Sequence, residues 1–433
     1  TNSCPRCGVQ LQWYLVENGE ALPQKETQEA MPGRAAELLH EGGILAVKGI
    51  GGYLLMCDAT HEAAVRNLRE RKQRPDKPFA LLYPKLEMLE GDVFLEKEEA
   101  EALQSPEAPI VLLPLRPAPA SGLSARAVAP GLDRIGAMLP YAPLLELIMQ
   151  AFGRPAVATS GNLSGSPIVY SDEQARQLFP AVADAILAND RLIEIPQDDS
   201  VLQYSPSARQ RILLRRSRGL APNLLQSDMG WSDTTCLATG GMLKSSAGLL
   251  YRGQTYLSQY LGDLNHLDTQ RNYRHVARHL LSVFRAEPDS VVCDLHPDYF
   301  STRYAQELAE QWSVPMQKVQ HHKAHFAAIL GEHGLHRAEE PVLGVIWDGT
   351  GFGEDGQVWG SEFFRREGGQ MHRCTHLAYY PHMLRDKMAR EPRISALAAG
   401  WPAEEVRRQL RPLFTGAEWR VYHHLLEGEP KLQ

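Results

Sequence analysis

Two short apolar runs, Ile44–Lys48 and Tyr53–Cys57, flank the turn Gly49-Ile50-Gly51-Gly52. Runs of this length, almost free of polar residues and bounded by glycine, are the signature of buried strands. The pattern recurs at Pro78–Tyr83, Ile110–Leu115 and Ala156–Thr159. Between the runs lie helical patterns. Ala35–Glu41 ends at the Gly42-Gly43 stop, and His61–Lys72 carries Ala64, Val65 and Leu68 on one face. Strands and helices in alternation predict an open α/β sheet over residues 26–222.

A second alternating block occupies residues 236–433, after a polar join at Asn223–Thr235. It opens with a three-strand meander at Cys236–Gly241, Ala247–Tyr251 and Thr255–Tyr260. The spacing then predicts a helix at Thr269–Phe284, a strand at Ser290–Leu295, a helix at Asp298–Trp312, a strand at Val314–Gln320 and a helix from His321. Val342–Trp347 and Val358–Phe364 begin the meander again. A meander followed by alternating helices and strands, then restarted, is the plan of an actin-like ATPase lobe.

At 433 residues the chain is long enough for two or three domains. Its formal charge of -7 gives no global attraction to nucleic acid or to an anionic membrane. No apolar stretch is long enough to span a bilayer and no charged-then-apolar leader opens the chain, so a cytoplasmic site of action is expected. The start at Thr1, without Met, reads as a fragment or a processed form. Six cysteines in a chain of this length are not a disulfide framework; Cys57, Cys236 and Cys293 sit in apolar contexts and are expected to be buried thiols. Cys4-Pro-Arg-Cys7-Gly differs, because that knuckle offers two thiolates to zinc. No second such pair follows, so residues 1–25 read as half a zinc site.

In the second block, His321 and His325 stand one helical turn apart and can aim their imidazoles at one point, while His322 turns aside. The alternative is a solvated, histidine-rich helix start. The next strand favours a metal: its apolar run ends on Asp348, followed by Gly349-Thr350-Gly351-Phe352-Gly353. A carboxylate at a strand's carboxyl end sits where α/β sheets place ligands, and the glycines admit phosphate oxygens close to backbone N–H groups. Two imidazoles and one carboxylate leave coordination positions open, which suits a catalytic ion. His322 stands where a His-Glu-x-x-His metallopeptidase needs its glutamate, which argues against that mechanism.

In the first block, the basic run Arg69–Lys77 has two readings: a solvated helix end, or part of a phosphate funnel. Lys48 before a glycine turn, the hydroxyl- and amide-rich Thr159–Gly165 and Arg215-Arg216-Ser217-Arg218-Gly219 favour the funnel. No Walker A sequence is present, which excludes a P-loop. A double-stranded RNA surface competes for the same basic residues. It ranks lower because no exposed aromatic platform is interleaved with the charges.

Together these motifs resemble a known family. Lys48-Gly-Ile-Gly-Gly, Arg71-Lys-Gln-Arg-Pro-Asp-Lys-Pro78, Ser160-Gly-Asn-Leu-Ser-Gly165, Asp198-Asp-Ser-Val201 and Arg215-Arg-Ser-Arg-Gly219 look like the YrdC-type domain of the HypF carbamoyltransferases. Ser258-Gln-Tyr-Leu-Gly-Asp263, His321-His-Lys-Ala-His325 and Asp348-Gly-Thr-Gly look like their Kae1-type domain. The Cys4–Cys7 knuckle resembles the end of their zinc-finger region.

The resemblance implies a twisted open-sheet domain followed by an actin-like, Kae1-type lobe. It implies formation of carbamoyl adenylate from ATP, Mg2+ and carbamate derived from carbamoyl phosphate. The carbamoyl group would then pass to the C-terminal cysteine of a HypE partner during [NiFe] hydrogenase maturation. Lys48, Arg71, Lys72 and Lys77 take the catalytic charge-neutralising positions. Ser160, Asn162, Ser200 and Arg218 surround the nucleotide, with Gly349, Thr350 and Gly351 as a second phosphate turn. His321, His325 and Asp348 match a divalent site for Zn2+ or Fe2+, and Cys4 and Cys7 a structural zinc site.

Several positions depart from the family pattern. Leu54 stands where a histidine is usual, and Arg390-Glu-Pro-Arg393 lacks the tryptophan often found after that proline. The sequence as it stands reads as lacking the family's acylphosphatase segment, and the Kae1-type part reads as stopping after its first lobe, so adenylation is expected to outlast transfer. The competing functions are small-molecule O-carbamoylation, threonylcarbamoyl-adenylate synthesis and a non-catalytic scaffold.

Overall fold

The computed structural model describes residues 8–162, 166–222, 224–225, 234–384 and 386–428. Cys4, Cys7 and residues 163–165 of the Ser160–Gly165 turn lie outside the described residues. Contacts divide the chain into two compact units. One comprises Thr1–Asn223, Leu243–Ala247 and Leu257–Val283; the other comprises Leu224–Met242, Gly248–Tyr256 and Phe284–Gln433. The long helix Leu267–Phe284 thus clusters almost wholly with the first unit.

The first unit is built on eleven strands: β1 (Leu11–Glu17), β2 (Glu20–Gln24), β3 (Leu45–Lys48), β4 (Tyr53–Asp58), β5 (Ala80–Leu82), β6 (Ile110–Pro114), β7 (Arg134–Met138), β8 (Ala156–Ser160), β9 (Ala185–Asn189), β10 (Val201–Tyr204) and β11 (Arg211–Arg215). Their spatial order is β11-β10-β6-β7-β5-β8-β4-β3-β9-β1-β2, in a mixed sheet where β3–β9, β5–β7 and β6–β10 are parallel.

The apolar runs follow from burial on both faces. Leu45, Val47, Leu54 and Met56 join one core with Ala35, Ala36 and Leu39 of the helix Met31–His40 and Leu145, Ile148 and Phe152 of the helix Pro143–Phe152. Their neighbours Ile44, Ala46, Tyr53, Leu55 and Cys57 point the other way, into a core shared with Val65 and Leu68 of the helix Glu62–Lys72. Side chains alternate across a strand, so each face takes every second residue. Each such Leu or Val contributes roughly 1.5–3 kcal/mol by leaving water.

The second unit holds a six-stranded sheet of β12 (Leu224–Leu225), β13 (Cys236–Ala238), β14 (Gly248–Tyr251), β15 (Gln254–Leu257), β16 (Ser290–Asp294) and β17 (Met316–Val319), in the order β12-β15-β14-β13-β16-β17. A separate antiparallel meander follows: β18 (Val342–Phe352), β19 (Val358–Glu367) and β20 (Gln370–His376). Cys57 and Cys293 are buried, as expected, whereas Cys236 is only half-buried on its short strand.

β18 corrects the sequence reading. It does not end at Trp347 but continues through Asp348-Gly-Thr-Gly to Phe352, and the turn comes later, at Gly353–Gly356. Nor is it buried on both faces. Gly344 packs beneath the Phe326 ring, while Leu343, Val345 and Trp347 are 66%, 49% and 75% exposed. An apolar run alone does not say how many faces are covered. The ladder also skips: Trp347 pairs with Ser361 and Gly351 with Trp359, so Asp348, Gly349 and Thr350 stand opposite Gly360 alone. Among the described residues, no helix is long and apolar enough to cross a membrane.

Candidate metal centre and nucleotide pocket

His321 opens the helix His321–Glu332, whose N-cap Gln320 accepts a hydrogen bond from the Lys323 N–H through its side chain. The i, i+4 spacing turns His321 and His325 to one side, and their Nε2 atoms lie 3.2 Å apart. The bulge in β18 brings Asp348 over the same helix end. Its Oδ2 lies 3.1 Å from His321 Nε2 and 3.6 Å from His325 Nε2. One donor atom from each residue falls within 4.8 Å of the others. Two borderline nitrogens and one hard oxygen at this separation fit a divalent transition ion with positions left open.

The electrostatics agree with that fit. Hydrogen bonds from His321 and then His325 hold the Asp348 carboxyl far below the usual carboxylate range. His321 is pushed up to about 9, first by its hydrogen bond to Asp294 and then by that to Asp348. Two carboxylates around a pair of imidazoles hold protons where a cation could stand.

Asp294, the last residue of β16, is a partner the sequence reading missed. It is buried, and its Oδ2 lies 2.7 Å from His321 Nδ1 while its Oδ1 accepts from the His296 N–H at 2.9 Å. A carboxylate only accepts, so His321 Nδ1 keeps its proton and donates it to Asp294, and the Nε2 lone pair is left for a metal. The same rule that singled out Asp348, a carboxylate ending an apolar strand, applies to Asp294. Replacing it by asparagine is expected to lower divalent-ion affinity about 10–100-fold. Equilibrium dialysis reads this directly, and unchanged affinity would reduce Asp294 to a packing role.

His322 turns aside into the core, as expected. It is buried, its Nε2 has no hydrogen-bond partner among the described residues, and burial lowers its pKa. Gly351 owes its identity to this ring. A Cβ there would lie 2.5 Å from His322 Cε1 and 3.2 Å from His321 Cβ. Gly351 therefore lets β18 close on the helix, whereas a Cβ at Gly349 would meet nothing within 4 Å.

In the first unit the structure sorts the candidates. Lys72, Ser160 and Asn162 come together: the buried Lys72 Nζ donates to Ser160 O at 2.7 Å, Asn162 O at 2.6 Å and Asn162 Oδ1 at 2.9 Å. Burial and then the neighbouring charge of Arg74 push Lys72 down to about 7, opposed by Asp198. Arg74 in turn is lowered by burial, Arg69 and Arg215. Three cationic side chains thus crowd around one carboxylate, Asp198, which is itself raised by burial. Such an arrangement is relieved by an anion.

Other candidates are committed elsewhere. Lys48 Nζ lies 2.7 Å from Asp172 Oδ1 and donates to Asn189 O at 2.9 Å, and the Tyr53 hydroxyl donates to the same Asp172 oxygen. Arg71 pairs with Asp184 at 2.7 Å. Arg218 spans Asp199, Glu107 O and Ala108 O and stacks 3.5 Å from the Tyr141 ring centroid. The Ser200 hydroxyl donates to Arg218 O and accepts from the Ser217 N–H. These four hold the turns in place, and Lys77 is exposed. Arg69, which lay unremarked in the basic run, donates to the carbonyls of Arg74, Pro75, Lys77, Ala127 and Val128 and so shapes the turn that carries Arg74.

Comparison with known proteins fits this architecture. A model described as "Telomere recombination", of the Sua5–YciO–YrdC type, matches residues 37–217. One for the "HypF Kae1-like domain" matches residues 232–332, and one for the second subdomain of the carbamoyltransferase Kae1-like domain matches residues 344–429. Carbamoyltransferase HypF of Synechocystis sp. is 42% identical over 369 residues, covering 85% of this chain and 46% of that protein. The chain belongs to the HypF carbamoyltransferase family. HypF of Rhodobacter capsulatus is 39% identical over 396 residues, 91% of this chain and 51% of its own length. A crystal structure of full-length HypF in its phosphate- and nucleotide-bound form superposes with a TM-score of 0.86 at 31% identity, over 98% of this chain and 54% of that one. The chain spans about half the length of these HypF relatives.

Proposed function

We propose that this chain is an ATP-dependent carbamoyltransferase of hydrogenase maturation. The observation that carries the reading is the cationic cluster around Lys72, Ser160 and Asn162 in a chain whose relatives are named carbamoyltransferases. A carbamate oxygen would attack the α-phosphorus of ATP, with Mg2+ on the phosphates, forming carbamoyl adenylate and releasing pyrophosphate. Lys72, Arg74 and Arg215 would neutralise the charge that builds on the phosphates, and Ser160 and Asn162 would set the ammonium's position.

In the second unit His321, His325 and Asp348 would hold a divalent ion, Zn2+ or Fe2+. Such an ion supplies Lewis acidity toward the phosphate or carbamoyl oxygen. Asp294 keeps the His321 ring in the orientation that this requires. The acceptor is the C-terminal cysteine of a HypE-like partner: its thiolate sulfur bonds to the carbamoyl carbon and AMP leaves. The sequence reading divides the chain into a zinc-finger remnant over 1–25, a nucleotide-activating part over 26–222 and a transfer part over 236–433, but β1 and β2 pair into the first unit's sheet and Leu257–Val283 clusters with that unit.

ATP–pyrophosphate exchange tests the reading. Exchange is expected with carbamate and not with threonine plus bicarbonate. Exchange with threonine plus bicarbonate alone would assign the chain to threonylcarbamoyl-adenylate chemistry. Exchange with neither would leave a binding scaffold.

A further inference from the structure

A second cationic site lies apart from the residues just described. In the helix Leu267–Phe284, Tyr273, Val276, Ala277 and Leu280 are buried. Arg271, Arg274, His275, Arg278 and His279 recur at steps of three and four along another stripe. With Glu194 they line an open cleft of about 480 Å³.

An exposed helix face needs only to be polar, and mixed signs one turn apart would stabilise it, whereas like charges at that spacing destabilise it by a few tenths of a kcal/mol per pair, in order of magnitude ~0.2–0.5. Here the lining residues are three arginines and two histidines against Glu194, in a chain whose net charge is -7. Among the described residues that line the cleft, Glu194 supplies the carboxylate, and Arg274 has a partner of its own. The Glu194 carbonyl lies 2.9 Å from His275 Nε2 and its Oε1 4.0 Å from the same atom. Arg271 reaches Asp268 at 3.5 Å, with both side chains largely exposed. Arg278 has no carboxylate within ion-pair distance among the described residues.

We propose that this cleft binds a condensed phosphate: pyrophosphate or the polyphosphate chain of a nucleotide. Arg271 and Arg278 are separated by about 10 Å of helix axis. One tetrahedral anion cannot bridge that length, so the ligand carries several charges in a row. Guanidinium forks match phosphate oxygens in a two-point contact that a carboxylate or sulfate row would use less fully. No aliphatic side chain is among the lining residues and the two imidazoles, His275 and His279, are its only rings, so recognition falls mainly on the cationic groups and hence on the phosphates. Its volume is that of a small-ligand site rather than a peptide groove.

The test is calorimetric titration of the chain with tripolyphosphate, pyrophosphate and orthophosphate, beside a glutamate-rich peptide. Tripolyphosphate is expected to bind wild type at a site that survives Lys72→Ala. Arg271→Ala with Arg278→Ala should weaken that site at least about tenfold, the equivalent of one charge-assisted hydrogen bond. ATP–pyrophosphate exchange should be unchanged in this double variant, and Arg271→Gln with Arg278→Gln serves as a second, isosterically fuller control. A double variant that titrates like wild type overturns the proposal. So does orthophosphate binding as tightly as tripolyphosphate, or the peptide competing equally. Failure of exchange in wild type would sink the carbamate-activation reading and leave this site standing.

Discussion

His321→Ala combined with His325→Ala is expected to leave the chain unable to retain a stoichiometric divalent ion. The two Nε2 atoms, 3.2 Å apart, are two of the three donors that meet at this point, and Asp348 alone is an ordinary exposed-edge carboxylate once they are gone. The loss should exceed the roughly 10–100-fold that follows removal of an outer partner such as Asp294. Metal content after dialysis measures it, and an unchanged ion count would refute the ligand assignment.

The pH dependence has a definite sign. His321 titrates near 9 in the metal-free protein, so an entering ion must displace its proton, and affinity should climb with pH until about 9 and then level. Stability of the metal-free fold runs the opposite way. A histidine whose pKa is raised contributes fully below its unfolded value of about 6.5, and the contribution fades as pH rises through about 9.

Lys72→Ala should reduce carbamate-dependent exchange by about 10²–10³, the usual cost of deleting one preorganised charge-stabilising group. The ammonium is buried on three oxygens and sits within the field of Arg74. Its pKa near 7 makes a second measurement possible. At pH 8 much of the side chain is neutral, and an arriving triphosphate would restore its proton. Calorimetry in buffers of different ionisation heat should therefore record proton uptake approaching one per site at pH 8 and falling away by pH 6. Normal binding without uptake would place the phosphates away from Lys72. Because the folded state binds fewer protons here than the unfolded chain, this lysine makes stability rise with pH between about 7 and 10.4.

Strands β3, β4, β5, β6 and β8 were legible because their apolar runs are largely buried on both faces, whereas the half-exposed β1, β2, β10 and β11 were not read as strands, nor were β7 and β9. The grouping of His321, His325 and Asp348 was legible because i, i+4 imidazoles and a strand carboxylate are local patterns. What stayed hidden depends on partners distant in sequence. Lys48 is held by Asp172 and Asn189, partners more than a hundred residues away that no local pattern names. The basic run shows the same limit. Arg69 and Lys72 share the buried side of one helix, yet Arg69 goes to carbonyl oxygens and Lys72 to the Ser160 turn, while Arg71 finds Asp184. Composition counted three cations; the phase of the helix and the far partners gave them three different tasks. β18 failed for the converse reason, since an apolar run is silent about whether its second face is covered.

The skipped register in β18 carries a consequence for stability. Three residues stand where a regular ladder would place one, so the shortest route to a better sheet is a two-residue deletion at Gly349 and Thr350. Such a shortened chain would gain continuous pairing with β19 while losing the outward step that brings Asp348 over the histidines. Better pairing and the placement of Asp348 thus make opposite demands on this segment. A two-residue deletion there is therefore expected to raise the melting temperature while lowering divalent-ion affinity, and a shortened chain that keeps its affinity would detach the bulge from the site.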